Sequence, residues 1–192
     1  MNVNLFSKLK YVAILFGLLA ASSSYAAEYK TVQYDKSSIA FSYKQMGVGM
    51  DGKFKRFDLK LKFDPENLNG SKAVLDINLS SVDIGSAEFN DELSGKLWFN
   101  SKVYPTAKFV STGLKSVGPG RYEATGNLTI KGKTQKILVP IVASIQGGSA
   151  ILDGVLAIKR SDFSIGEGEW ADFDTVANEV KIKFHLLVSS GK

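Results

Sequence analysis

Apolar and polar side chains alternate along most of this chain with a period of two, the signature of strands that bury one face and wet the other. Ile39, Phe41 and Tyr43 take turns with Ala40, Ser42 and Lys44; Phe57, Leu59, Leu61 and Phe63 take turns with Asp58, Lys60, Lys62 and Asp64, until Asp64-Pro65 stops the run. Ala73, Leu75, Ile77 and Leu79 form the next strand, with a continuation through Val82 and Ile84. Further alternating runs occupy Ala107 to Ser111, Tyr122 to Ile130, Ile137 to Ile145, the stretch around Leu156 and Ile158, and Val176 to Val188. Gly118-Pro119-Gly120, Lys131-Gly132-Lys133 and Gly147-Gly148 are short turns, and short turns join antiparallel neighbours. The pattern predicts an all-β chain of about eight strands.

Glu88 to Asn100 breaks the rhythm. Phe89, Leu93, Leu97 and Trp98 fall at helical spacing with Asp91, Glu92 and Lys96 on the far side, which predicts one helix, kept short by Gly95. Strands at this spacing make a sandwich or an up-and-down barrel, and a barrel of about eight strands either fills itself with side chains or holds one small ligand. The polar strand faces carry Lys60, Lys62, Lys108, Lys181 and Lys183, which suit bulk water rather than the lipid face or lumen of an outer-membrane barrel.

The N-terminus adds a compartment. Lys8 and Lys10, the apolar run Tyr11 to Ala21 and the small-x-small site Ser24-Tyr25-Ala26 read as a signal peptide over residues 1–26, leaving one domain over residues 27–192. The chain has no cysteine, so disulfides, thiolate metal sites and cysteine nucleophiles are excluded. Its formal charge of +5 is scattered rather than gathered on one face, which argues against nucleic acid.

The chemistry-bearing residues are few. Gly47-Val48-Gly49-Met50-Asp51-Gly52 matches G-x-G-x-x-G, but strand alternation rather than a helix follows, so it reads as a flexible hairpin connection. His185 is the single histidine and shares a strand face with Lys181 and Lys183, an exposed position without a role. It leaves a zinc site or a Ser-His-Asp triad out of reach. Glu167, Glu169, Asp172 and Asp174 lack the order of a calcium loop. Arg160 and Asp162 follow an inward strand face: they either pair with each other or with backbone at one barrel end, or Arg160 meets an anionic head group. No catalytic residue, metal or cofactor is expected.

Six motifs in order carry a family likeness: Ser38-Ile39-Ala40-Phe41, Gly52-Lys53-Phe54, Phe63-Asp64-Pro65, Tyr104-Pro105 through Ser111, Gly126-Asn127 through Gly132, and Arg160-Ser161-Asp162-Phe163. With these separations the chain resembles the YceI-like family of bacterial periplasmic proteins from about Tyr29 to Val188. It departs from that pattern in four places. Gln45 stands where a histidine often precedes the Met-Gly pair, and Glu92-Leu93 replaces His-Leu. Lys96 to Asn100 replaces an acidic-aromatic run, and Ser164 replaces the glycine after Arg-Ser-Asp-Phe.

The resemblance implies an extended, lipocalin-like antiparallel barrel of eight strands with one short helical insertion. It also implies a function, the periplasmic transport or storage of a polyisoprenoid, such as an isoprenoid quinone or polyprenyl phosphate, or another long-chain amphiphile. The lining expected on that reading is Phe41, Phe57, Leu61, Leu75, Ile77, Phe109, Leu128, Ile158 and Phe184, with Met46, Leu93, Trp98, Arg160, Phe163 and Trp170 at the mouth. Such a carrier is compatible with transient membrane contact and with a homodimer. A filled barrel acting as a stress-response or interaction module, with a protein partner, is the alternative.

Overall fold

The structure, a computed structural model, describes residues 28–191; the signal-peptide reading falls on residues outside them. Eleven strands form one sheet: β1 (Tyr29–Val32), β2 (Ser38–Gln45), β3 (Val48–Phe54), β4 (Phe57–Lys62), β5 (Lys72–Asn78), β6 (Val82–Asp83), β7 (Thr106–Gly118), β8 (Arg121–Ile130), β9 (Lys133–Gln146), β10 (Ser149–Lys159) and β11 (Glu179–Ser190). Every ladder is antiparallel, in the order β4-β5-β7-β8-β9-β10-β11-β2-β3-β6.

The two ends of that order meet, because β3 runs on into β4 through Lys55-Arg56 and β5 into β6 through a 3-10 turn at Leu79–Ser81. Two long, kinked strands are thereby each divided in two, and Ser81 stitches the kink: its carbonyl accepts from the Lys55 N–H and its hydroxyl from the Arg56 N–H. The extra strand, β1, pairs with the end of β11 and bonds across to Phe63 beyond β4. The eight runs expected from alternation are thus one extended, lipocalin-like antiparallel barrel.

Period-two alternation assigns the faces as expected. On β11 Val180, Ile182, Phe184, Leu186 and Val188 join the core, while Lys181 and Lys183 are exposed. The core consists of two apolar clusters, with Phe57, Leu75 and Phe184 packed against both. Three inward glycines shape it. A Cβ on Gly52, Gly126 or Gly154 would collide with the rings of Phe41, Phe109 and Phe184 respectively, so each ring lies over a bare stretch of neighbouring backbone.

Several expectations need correction. The glycine-rich run is not a loop: only Met46 and Gly47, at φ 49° and 78°, make the tight turn, and Gly49 and Gly52 lie within β3. The last strand begins at Glu179 rather than Val176, although Val176 makes an isolated bridge to Gln45. The helix, α1 (Ala87–Ser94), is short and stops at Gly95 as expected, but its apolar face does not reach the residues beyond that glycine. Leu97 and Trp98 therefore sit in following turns, and Phe89 faces solvent. His185 is also employed: its Nδ1 lies 2.7 Å from Asp153 Oδ1, its direct cross-strand neighbour.

Candidate functional site

Two apolar slots lie in tandem inside the barrel. The outer one, about 90 Å³, is walled by Phe41, Tyr43, Phe54, Leu93, Trp98 and Ile158 among others; the inner one, about 130 Å³, by Leu61, Leu75, Phe109, Val139, Leu152 and Phe184. Ile39, Ile77, Leu128 and Ile182 line both, so the two slots adjoin across these side chains. A vestibule of about 220 Å³ lies outside the outer slot, between α1, the end of β2 and the loop carrying Trp170. Tyr43, Leu93, Trp98 and Val176 line both outer slot and vestibule and form the neck between them.

The neck is held by the segment after β10. The chain leaves the strand in a 3-10 turn at Arg160–Phe163, so strand parity stops there: Arg160 is 2 % exposed, while Asp162 faces solvent. Of the two structural partners expected for Arg160, Asp162 and backbone at the barrel end, it takes backbone, and no ion pair to Asp162 forms. The guanidinium donates seven hydrogen bonds to six backbone carbonyls. Nε reaches Val176 and Ala177, Nη1 reaches Ile165 and Gly166 at 2.9 and 2.8 Å, and Nη2 reaches Trp170 and Val176 at 2.7 Å and Asp172 at 3.3 Å.

One side chain thereby gathers the loop 165–177 into a knot across the barrel end. All five N–H donors of an arginine are consumed, which leaves none for an anionic ligand. The rings of Phe173 and Trp98 lie 5.2 and 6.0 Å from its central carbon and help to shield the charge. Desolvation pulls its pKa below the ordinary arginine value and the Asp172 carboxylate opposes that; the guanidinium stays charged regardless.

Lys131 supports the same loop. Its Nζ donates to the Ser164 carbonyl at 2.7 Å and to Glu167 Oε2 at 2.8 Å, although the residue itself is 8 % exposed. Nothing in the alternation singles it out, since it reads as an ordinary residue of the β8–β9 turn. A second latch joins Trp170 Nε1 to Glu92 Oε1 of α1 at 3.2 Å, and the rings of Trp98 and Trp170 lie 5.4 Å apart.

Ser164 sits at φ 54°, ψ 40°, a left-handed conformation that costs a side-chain-bearing residue about 1 kcal/mol. This is the position where the resemblance expects glycine. Ser164→Gly is expected to stabilise the protein by about 0.5–1 kcal/mol, a rise of a few degrees in Tm by differential scanning calorimetry. An unchanged or lower Tm would show that the strain is absorbed elsewhere.

The structure brings most of the expected lining together. Phe41, Ile77, Leu93, Trp98, Leu128, Ile158 and Arg160 line the outer slot, and Leu61, Leu75, Ile77, Phe109, Leu128 and Phe184 the inner one. Trp170 borders the vestibule. Met46 does not belong with them: it is 74 % exposed at a turn tip, where its N–H bonds the Thr175 carbonyl. Phe57 packs between the two clusters without reaching either slot, its ring 5.4 Å from Tyr34, and Phe163 is buried behind the outer slot. Among the described residues no group of His, Asp and Glu has the geometry of a metal site.

A family model described as the YceI-like domain matches residues 30–188. A UPF0312 protein of Yersinia pestis is 35% identical over 156 residues, which are 77% of this chain and 81% of that protein. A UPF0312 protein of Photorhabdus laumondii is 37% identical over 124 residues, 64% of each chain, so the match spans just under two thirds of that relative. Among solved structures, Burkholderia cenocepacia BcnA is 44% identical with a TM-score of 0.79, covering 81% of this chain and 98% of BcnA. A polyisoprenoid binding domain from Saccharophagus degradans shares the fold at 17% identity and a TM-score of 0.65, covering 86% of this chain and 99% of that domain.

Proposed function

Because the chain belongs to the YceI-like family, we propose that it binds a long-chain isoprenoid, or an amphiphile of similar shape, inside its barrel and carries or stores it in the periplasm. The family and the fold are those of a non-catalytic ligand-binding protein. The observation that carries the reading is the pair of tandem apolar slots opening through an apolar neck to a vestibule. Each methylene of a tail taken out of water is worth about 0.8 kcal/mol, so a tail of this kind crosses an aqueous compartment only under escort.

The tail would run from Trp98 past Phe41, Ile158, Ile77 and Leu128 to Leu75, Phe109, Phe184 and Leu61. Each slot is smaller than the roughly 150 Å³ apolar cavity that takes up one benzene. Binding a tail of many isoprene units therefore widens the lumen, and the side chains shared by the two slots, Ile39, Ile77, Leu128 and Ile182, must repack. Phe89, exposed on α1 and lining the vestibule, supplies an apolar rim suited to brief contact with a membrane from which the lipid is taken. Export would be directed by residues 1–26.

Protein purified from its own host and sprayed under native conditions is expected to show a mass adduct that organic extraction recovers as an isoprenoid lipid. Removing the lipid is expected to lower Tm, since a ligand that binds only the folded state stabilises it. Recovery of lipid-free protein that binds no long-chain isoprenoid, together with a co-purifying protein, would favour a filled interaction module instead.

A further inference from the structure

β9 and β10 pair only from Gln146 with Ser149 to Val142 with Asp153; beyond that the two strands run on without a shared ladder. Pro140 accounts for the break. Ala143 donates its N–H to Gly120 on the β8 side, so by alternation Val142, Pro140, Leu138 and Lys136 turn their backbone groups toward β10. Pro140 has no N–H to give, and proline stands in a sheet where a ladder is not continued. Among the described residues, the bond from Gln135 Nε2 to the Asp162 carbonyl, at 3.2 Å, is the one that rejoins the two sides beyond this seam.

Past Pro140 the strands part around a hollow of about 320 Å³. Ile137 and Ile158 line that hollow, and the same two side chains line the inner and the outer slot respectively, so the wall there is one side chain thick. Ile137 and Ile141 of β9 and Leu152 and Leu156 of β10 face the inner slot on either side of the seam. On the outer face Leu138, Val142 and Val155 are each about half exposed and form an apolar strip along it with Pro140 and Ala157. Lysines border the strip: Lys136 and Lys159 at the hollow, and Lys183 and Lys181 as cross-strand neighbours of Val155 and Ala157. The carboxylates nearby are Asp162, Glu179, which is 3.9 Å from Lys181, and Asp153, which is taken up by His185. Among the described residues, Lys136, Lys159 and Lys183 make no ion pair.

Resting on the carrier reading, we propose that this seam is a lateral portal: the outer faces of β9 and β10 dock on an anionic lipid surface, and the tail passes between the two strands into the inner slot. An apolar strip bordered by lysines suits the head-group layer, where the apolar side chains dip toward the acyl chains and the ammonium groups meet lipid phosphates. The unpaired backbone groups of Leu138, Val155 and Ala157 set the depth. They cannot enter hydrocarbon, whereas the head-group layer offers them water and phosphate oxygens. Parting the strands here breaks one side-chain hydrogen bond rather than a ladder. The surface is separate from the rim that Phe89 makes at the vestibule.

Because the chain has no cysteine, the portal can be locked chemically. Continuing the register sets Leu138 opposite Ala157, so a short bis-maleimide can join the thiols of a Leu138→Cys/Ala157→Cys variant across the seam. Solanesol, an uncharged polyprenol, is the probe, offered in vesicles of phosphatidylcholine with or without phosphatidylglycerol. Linking is expected to slow solanesol uptake at least about tenfold against the same variant left unlinked, which controls for folding. The wild type is expected to sediment with the phosphatidylglycerol vesicles and to be released by high salt. Lys136→Gln/Lys159→Gln/Lys183→Gln should weaken that binding at least about tenfold, since each lysine near an anionic surface is worth roughly fivefold. Uptake unchanged by linking, vesicle binding indifferent to the three lysines, or binding lost with Phe89→Asp but not with Leu138→Asp would overturn the portal, while solanesol held by the protein keeps the carrier. A dimer joined through the seam, seen in sedimentation and split by Leu138→Asp, would overturn the portal as well. A wild type that takes up no solanesol from either kind of vesicle would remove carrier and portal together.

Discussion

Arg160→Ala is expected to lose at least about 4 kcal/mol of folding stability, read by differential scanning calorimetry as a fall in Tm of roughly 10–15 °C. The size follows from what the guanidinium does. It is buried, it has no carboxylate partner, and its hydrogen bonds converge on carbonyls of Ile165, Gly166, Trp170, Asp172, Val176 and Ala177. A hydrogen bond to a charged group is worth about 1.5–3 kcal/mol, and an unmet buried acceptor costs a further 1–3 kcal/mol.

Truncation would leave several of those carbonyls facing an apolar space beside Trp98, and the loop that roofs the outer slot would lose its centre. Arg160→Lys should recover only part of the loss, because an ammonium has three donors at one point where the carbonyl knot needs five in a fork. A stable Arg160→Ala protein that merely drops its lipid would point instead to a head-group role. A loss of only a degree or two would show that water takes over the carbonyls.

The barrel was legible in the sequence because a strand with one buried face reports that face every second residue. Phe57 to Phe63 and Val180 to Val188 state their inward side without ambiguity, and the structure keeps it. β3 was hidden for a physical reason: its inward positions include Gly52, whose bare backbone accommodates the Phe41 ring, so the apolar signal comes from the neighbouring strand. The kink at Leu79–Ser81 was hidden because Leu79 and Val82 are apolar on either side of it, and a change of backbone path leaves no mark in hydropathy.

The site was legible in part. Its lining follows from parity, and Phe109, Leu128 and Phe184 fall where alternation puts them. For Arg160 the alternation leaves Asp162 and backbone both open, because sequence displays carboxylates and hides carbonyls; its partners are backbone atoms that any residue could supply. Met46 was misplaced because nearness along the chain to β2 says nothing about which way a hairpin tip points. The His185–Asp153 pair depends on the register of two strands whose partners lie 32 residues apart, which neither residue announces.

The largest effect on ligand capacity should come from the smallest substitution, alanine for the inward glycines. Gly→Ala within a strand ordinarily stabilises a protein where the backbone allows it, by lowering the entropy of the unfolded chain. Here the sign reverses. At Gly154 the new Cβ would overlap the Phe184 ring and crowd the Pro140 carbonyl; at Gly126 it would overlap the Phe109 ring and crowd the Val110 carbonyl; at Gly52 it would meet Phe41 and Ile84. Overpacking of this kind costs about 1–3 kcal/mol per site.

The rings have one direction in which to yield. Backbone blocks them on the wall side, so Phe184 and Phe109 must swing into the inner slot and Phe41 into the outer one, each of which they already line. A slot of about 130 Å³ has no room for two displaced phenyl groups and a lipid tail. Gly126→Ala and Gly154→Ala are therefore each expected to lower Tm by several degrees, and the double variant to retain less than a tenth of the wild-type lipid in native mass spectra. His185→Ala, a change on the outer face, should leave retention intact. If the double variant instead holds its lipid normally, the tail does not occupy the space beside Phe109 and Phe184, and the path of the ligand must be redrawn through the outer slot alone.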